Sequence, residues 1–156
     1  RPLMNLTLAH PAAAAPARGA RLLAAAALAG IAWNAFGVVQ WLKTESATLD
    51  SLTAGGLSPA QAALYLSLPA WISVAFAVGV GAGLAGSVAL LLRRHRHALV
   101  LLSLSLLAYA VLFAGDAWLG LFAAIPGQMA IPSVVVLIAI GLWALALHAY
   151  RQQIRH

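Results

Sequence analysis

The sequence contains no cysteine and only three acidic residues among its 156 residues. The lack of cysteine excludes disulfide bonds, thiolate metal sites, iron–sulfur clusters and cysteine nucleophiles. With so few carboxylates, catalysis by paired carboxylates is not expected. Charged residues make up only 8% of the chain, whereas soluble domains carry about 25%. Hydrophobic residues make up 63%, with a mean hydropathy of +0.95, so the composition indicates an integral membrane protein.

Four stretches of the chain are apolar enough and long enough to cross a bilayer. A spanning helix needs roughly 20 apolar residues, and such stretches lie at about 22–42, 69–92, 98–119 and 131–150. They predict an all-α fold, a four-transmembrane-helix bundle within residues 21–150. Residues 1–20 are expected to form a mobile cytoplasmic arm, and residues 151–156 a cytoplasmic tail.

Basic residues predict how the bundle is oriented. All the arginines lie before the first span, between the second and third, or after the fourth. Four crossings place these three groups on one side, and basic residues flank spans on the cytoplasmic side. Both termini are therefore expected in the cytoplasm, whereas nucleic-acid binding is not expected, because the arginines lie in short juxtamembrane segments. The residues assigned to this topogenic role are Arg18, Arg21, Arg93, Arg94, Arg96, Arg151 and Arg155.

The two connections opposite the arginines carry helix and turn signals. Ser58 followed by Pro59 is typical of a helix start, so a short helix is expected at 60–68, lying on the outer bilayer surface. The second connection, 120–130, is expected to be an interfacial turn or a shallow re-entrant segment. Pro132 is expected in the first turn of the fourth span, where proline is tolerated.

Small residues recur at helical spacing in the first two spans. Such residues let helix backbones approach closely in lipid. Asn34 lies near mid-membrane and is expected to donate a hydrogen bond across a helix contact; a contact with a solute is the alternative. The residues predicted to pack helices are Gly30, Asn34 and Gly37 of the first span and Ala75, Gly79, Gly83 and Ser87 of the second.

The third span carries a polar face, because Ser105, Tyr109 and Asp116 recur at intervals of four and seven. Asp116 lies about one turn from the outer boundary, where a carboxylate reaches interfacial water. An interfacial or helix-pairing role is expected for it, with transport as the alternative. In the fourth span, His148 is a candidate ligand for a pigment or haem, although a b-type haem generally needs two facing histidines.

No catalytic residue and no metal site is expected, since the sequence shows no HExxH pattern, nucleophile elbow or phosphate-binding loop. No cofactor is expected either, although bound lipid is. The expected partners are the lipid bilayer and other membrane subunits or a second copy of the chain.

Three short motifs, together with the glycine run of the second span, resemble those of a group of small four-span bacterial inner-membrane proteins. The group has no established function, and automatic labels sometimes call its members sugar transporters. The likeness covers about residues 25–150 and implies a four-helix topology in the bacterial inner membrane, but it implies no catalytic or binding residues. The motifs are Trp33-Asn34-Ala35-Phe36-Gly37, Pro69-Ala70-Trp71 and Leu90-Leu91-Leu92-Arg93-Arg94.

Two functions are compatible with these features. The first is a non-catalytic accessory or scaffold subunit that packs laterally in a membrane complex, for example a respiratory or photosynthetic assembly. The alternative is a small-solute transporter that acts as an oligomer, with Asn34, Ser105 and Tyr109 as its candidate solute contacts. A membrane enzyme is not expected, because no nucleophile–base pair is recognisable.

Overall fold

The computed structural model describes residues 15–155, with side chains from residue 19 onward. The predicted arm therefore lies largely outside the described residues, as do the side chain of Arg18 and the whole of His156. Seven helices form within the described range. They are α1 (Ala15–Glu45), α2 (Leu49–Ala54), α3 (Pro59–Leu66), α4 (Ala70–Leu91), α5 (His95–Trp118), α6 (Leu121–Ala124) and α7 (Ala130–Gln153).

Helices α1, α4, α5 and α7 are long and apolar enough to cross a membrane. This confirms the predicted all-helical fold with four apolar helices. In hydrocarbon every backbone N–H and C=O must bond within the protein, so continuous helices are the structure that such segments adopt. Three of the helices extend beyond the predicted spans: α1 begins at Ala15 and ends at Glu45, α5 begins at His95, and α7 ends at Gln153.

The four long helices form an up-and-down bundle. Helix α4 has its most extensive contacts with α5, while α1 packs on α4 and α7 packs on α5. One buried apolar cluster joins Ala27 of α1, Leu90 of α4, Ala98 of α5 and Ala149 of α7. The beginnings of α1 and α5 therefore lie at the same end of the bundle as the ends of α4 and α7. We call this the basic end, because its arginines lie there, and the opposite end, with α2, α3 and α6, the loop end.

The turn between α4 and α5 is short and is closed by backbone hydrogen bonds. The N–H of Arg94 donates to the carbonyl of Ala89 (2.9 Å), and that of Arg93 donates to the carbonyl of Leu90 (3.1 Å). This pair of bonds is a Schellman motif, in which glycine normally takes the left-handed position. Here Arg93 takes that position, with φ 58°, so an arginine occupies a position at which the backbone conformation favours glycine.

The predicted start of the short helix in the first connection is confirmed. Ser58 caps α3, with Pro59 at its first position, and the backbone N–H of Ser58 donates to Oε1 of Gln61 (2.9 Å). Helix α3 ends at Leu66, two residues before the predicted end. Across the loop end, Nε2 of Gln61 donates to the carbonyl of Ala124 in α6 (2.8 Å), which ties the two connections together.

The structure adds two short helices to the predicted arrangement. Helix α2 was not predicted; Thr48 and Ser51 cap its N-terminus reciprocally. The second connection contains the single turn of α6, which follows Gly120 at φ 78°. Pro132 lies in the first turn of α7, as predicted.

Candidate functional site

Three buried polar side chains meet in the middle of the bundle. Asn34 of α1 and Ser105 of α5 are each 2% exposed, and Tyr109 of α5 is 4% exposed. The hydroxyl of Tyr109 donates to Oδ1 of Asn34 (3.2 Å), and Oγ of Ser105 donates to the carbonyl of Gly79 in α4 (2.7 Å). These three residues, which we call the polar cluster, thus connect three helices through neutral hydrogen bonds.

Glycines of α4 make room for the polar cluster. A Cβ atom added at Gly79 would lie 2.7 Å from Cε1 of the Tyr109 ring. A Cβ atom at Gly83 would overlap Oδ1 of Asn34 and lie 2.9 Å from Oγ of Ser105. Since real Cβ atoms do not approach other heavy atoms so closely, the absence of side chains at these two positions lets α1 and α5 place polar groups against α4.

The amide group of Asn34 is used differently from the prediction. Its Nδ2 donates to the carbonyl of Gly30 in its own helix (2.8 Å), one turn earlier. Across the helix contact Asn34 is an acceptor, because the Tyr109 hydroxyl is the donor. The sequence could not specify this, since an amide side chain offers both donors and an acceptor.

The other residues predicted to pack helices lie at or beside the α1–α4 and α4–α5 contacts. Gly30 faces Ser87, and Gly37 faces Val80; an added Cβ atom would lie 2.6 Å from Oγ of Ser87 and 2.8 Å from Cγ1 of Val80, respectively. Ser87 is fully buried and donates to the carbonyl of Gly83 (2.8 Å). Ala75 is half-buried.

A small cavity lies beside the polar cluster, between α1 and α7. Its volume is about 10 Å³, which is close to the space that one water molecule needs. Helices α1 and α7 touch each other at few positions, so the cavity lies where two neighbouring long helices are only sparsely in contact. We call this sparse contact between α1 and α7 the α1–α7 seam. The cavity is lined by Trp33 and Asn34 of α1, Ser105 and Tyr109 of α5, and Ile138 and Leu142 of α7, among others.

Asp116 lies deeper in the protein than the sequence indicated. It is only 6% exposed, and its Oδ1 is buried without a hydrogen-bond partner. Its position explains this burial, because it follows Tyr109 by seven residues, about two helical turns, and so lies on the same face of α5. The structure therefore buries all three residues of the predicted polar face, Ser105, Tyr109 and Asp116.

His148 lies on the outside of α7. It is exposed, and its Nε2 lies 2.9 Å from Nε2 of Gln152, one turn later in the same helix. Within the described residues, no three His, Asp or Glu side chains are grouped so that they could hold a metal ion. His148 is therefore separate from the buried polar cluster.

The arginines at the basic end are all exposed where their side chains are described. Their guanidinium groups are therefore available to water and to lipid headgroups at that end. These residues are Arg21, Arg93, Arg94, Arg96, Arg151 and Arg155.

Two side-chain contacts between the long helices were missed by the sequence reasoning. At the loop end, Nε1 of Trp41 donates to Oγ of Ser73 (3.1 Å), and that hydroxyl donates to the carboxylate of Glu45. On the lipid-facing side, Nε1 of Trp143 donates to Oγ of Ser103 (3.0 Å). The first pair had a signal, because the end of one span and the start of the next are neighbours in an antiparallel pair.

Comparison of the chain with protein-family models, with curated proteins and with solved structures gives no match in any of the three. Function must therefore be argued from the bundle itself. Its interior offers neutral hydrogen-bonding groups in the polar cluster and one buried carboxyl group, that of Asp116.

Proposed function

We propose that the protein is a non-catalytic membrane subunit that packs laterally against another membrane protein, or against a second copy of itself, as an accessory or scaffold component. The α1–α7 seam is the observation that carries this proposal. In the spanning parts of α1 and α7 only 17% of the residues are buried, compared with 44% in α4. A helix of a closed bundle has two full neighbours, whereas α1 and α7 have one each, so this side of the bundle can accept a further helix.

Small residues beside the seam support a close helix contact there. Trp143 of α7 bonds to Ser103 of α5, whereas Gly141, two residues earlier, lies about 160° around the helix from Trp143 and is exposed. A Cβ atom added at Gly141 would meet nothing within 4 Å. A partner helix can therefore approach the backbone closely at this position, and such close packing is what drives helix association in lipid.

The expected orientation and location belong to the same proposal. The basic end faces the cytoplasm, because basic residues are retained on that side, and both termini lie there. Helix α3 exposes Leu66 and rests on the outer surface of the bilayer. A location in a bacterial inner membrane is part of the same proposal.

Reporter tags fused to each end of the chain test this orientation. Both tags are expected to report the cytoplasm, because an even number of spans returns the chain to the side on which it began. Tags that report opposite compartments would contradict the four-span orientation, and so would two tags on the outer side.

The lateral-packing proposal is tested by gentle extraction from the native membrane, followed by native mass spectrometry. The expected particle contains the chain with a second membrane protein or a second copy, together with bound lipid. Gly141→Leu is expected to release the partner, because the leucine fills the flank of the seam. Gly81→Leu is the matched control, since an added Cβ atom at Gly81 also meets nothing within 4 Å, but α4 lies away from the seam. A particle that is monomeric under all extraction conditions would contradict the proposal.

A small-solute transporter is the second candidate function. The meeting of Asn34, Ser105 and Tyr109 favours it, because transport sites need polar groups that converge near mid-membrane. Uptake into proteoliposomes tests it, with Asn34→Ala and Tyr109→Phe expected to lower the flux. A flux no greater than that of empty liposomes would exclude this function for the assayed solutes.

His148 is kept as a candidate pigment ligand, although we propose no resident cofactor. The absorbance spectrum of the purified protein tests this directly. A visible band that is lost in His148→Ala would assign a pigment to this residue. A spectrum without any visible band would contradict the assignment of a pigment to His148.

A further inference from the structure

We propose that Asp116 is a proton-binding site in the loop-end half of the bundle: its carboxyl group is held in the neutral form and exchanges its proton with the aqueous phase at the loop end. This inference goes beyond the accessory function and does not depend on it. The reaction is the addition of one proton to a carboxylate oxygen and its release.

The burial of Asp116 is the first observation. The residue is 94% buried, and Oδ1 has no hydrogen-bond partner. An ionised carboxylate that leaves water loses its hydration and needs a cation or hydrogen-bond donors to replace it. A protonated carboxyl group carries no net charge, so its burial costs far less.

The helices packed against α5 supply no cation close to Asp116. Helices α4 and α6 contain no ionisable residue. The ionisable residues of α7 are His148, Tyr150 and Arg151, which all lie toward the basic end. In α5 itself, His95, Arg96 and His97 form its first turn, at the basic end, and Tyr109 already donates to Asn34.

The ionisable residues at the loop end, as the structure describes them, form no ion pair or hydrogen bond with Asp116 either. Lys43 and Glu45 of α1 are exposed, and Glu45 accepts a hydrogen bond from Ser73. Tyr65 of α3 has its hydroxyl 3.4 Å from that of Thr44. A proton is therefore the cation that this site can take without moving a neighbouring helix.

A metal ion fits this position poorly. Hard cations need about six oxygen ligands, whereas Asp116 supplies two. The nearest buried oxygen atoms on the same face of α5 are those of Tyr109 and Ser105. Tyr109 lies about 10 Å away along the helix axis, from the rise per residue, and Ser105 lies farther still. A proton needs no such set of ligands.

The apolar cluster at the basic end restricts access to one side. Leu90 and Leu102 are 1% and 2% exposed, and Ala146 is fully buried. This packing separates the polar face of α5 from the arginines. Asp116 lies within about one turn of the end of α5 at Trp118, so the loop end is the shorter route to water. The structure thus indicates proton binding from one side rather than conduction across the membrane.

Infrared spectroscopy tests the proposal directly, because the chain has only three acidic side chains. The variant Glu45→Gln, Asp50→Asn leaves Asp116 as the only acidic side chain, and both replaced residues are exposed, so folding is retained. In bilayers at neutral pH this variant is expected to show the carbonyl stretch of a protonated carboxyl group. The band is expected to shift to lower frequency in D₂O and to disappear when Asp116→Asn is added.

Each other outcome overturns part or all of the proposal. A spectrum with only ionised carboxylate bands from Asp116 would exclude the neutral form. A protonated band that does not shift in D₂O would exclude exchange with the aqueous phase. Circular dichroism of both variants shows whether the helical bundle is retained, so that a loss of the band cannot be mistaken for unfolding.

Discussion

The hydroxyl of Tyr109 donates a hydrogen bond to Oδ1 of Asn34 across 3.2 Å, and it joins two helices whose backbones are not in contact in the described structure. Helices α1 and α5 lie diagonally across the bundle, with α4 packed against both. The bond forms because Gly79 and Gly83 of α4 leave space for the tyrosine ring and the amide group. The polar cluster therefore depends on the glycines as much as on the polar residues.

Removing the Tyr109 hydroxyl is expected to weaken the bundle. Tyr109→Phe should lower the free energy of unfolding by about 1 kcal/mol, the usual scale for hydrogen bonds between membrane helices. Chemical unfolding in mixed micelles measures this change. Tyr65→Phe is the matched control and should have a smaller effect, because that hydroxyl is only partly buried and its contact with Thr44 is longer.

A double-mutant cycle separates the bond itself from other effects of the substitutions. Tyr109→Phe and Asn34→Ala should show a coupling energy of about 1 kcal/mol, because the two residues are in direct contact. A coupling energy near zero would mean that the bond does not contribute to stability.

Adding a methyl group at Gly83 is expected to separate the helices. Gly83→Ala should cost about 1–3 kcal/mol, the usual range for overpacking, because the new Cβ atom overlaps the amide of Asn34. Gly81→Ala is the control, since its Cβ atom meets nothing within 4 Å, and it should be neutral or slightly stabilising. Thermal unfolding of the two variants in the same detergent measures the difference, and equal stabilities would contradict the close approach at Gly83.

Relieving the left-handed backbone at Arg93 is expected to stabilise the α4–α5 turn. The left-handed conformation costs a non-glycine residue about 1–2 kcal/mol, so Arg93→Gly should raise the free energy of unfolding by about 1 kcal/mol. Arg94→Gly removes the same charge from a residue at φ −85° and should be destabilising, because glycine only adds freedom to the unfolded chain there. If both variants changed stability in the same direction, charge rather than backbone conformation would be the cause.

The cap of α3 is expected to control local opening at the loop end. Ser58→Ala removes the side chain that accepts from the N–H of Gln61 (3.3 Å), which costs about 1 kcal/mol. Amide hydrogen exchange in α3 should therefore become about five times faster. Exchange in α4 should not change, which provides the internal control, and an unchanged rate in α3 would show that packing rather than the cap holds the helix.

Much of the helix layout could be predicted from the sequence, because apolar length and helix caps are local properties. The four long helices and the cap at Ser58 depend on the order of neighbouring residues alone. Helix α2 was missed because its cap, Thr48 with Ser51, uses two short hydroxyl side chains rather than the usual glutamate or glutamine three residues later. The neighbouring positions of Trp41 and Ser73 could have been inferred, but their bond was missed because it depends on how α1 and α4 are rotated about their axes.

The sequence by itself determined that the described residues form long apolar helices with the described arginine side chains grouped at one end, because hydrophobicity and charge act on each segment separately. Only the tertiary structure decided that Asn34 accepts from Tyr109, that Asp116 is buried without a partner, and that α1 and α7 barely touch. These features depend on the rotation of each helix about its axis and on the distance between helices. Both result from how the side chains of several helices pack together in three dimensions.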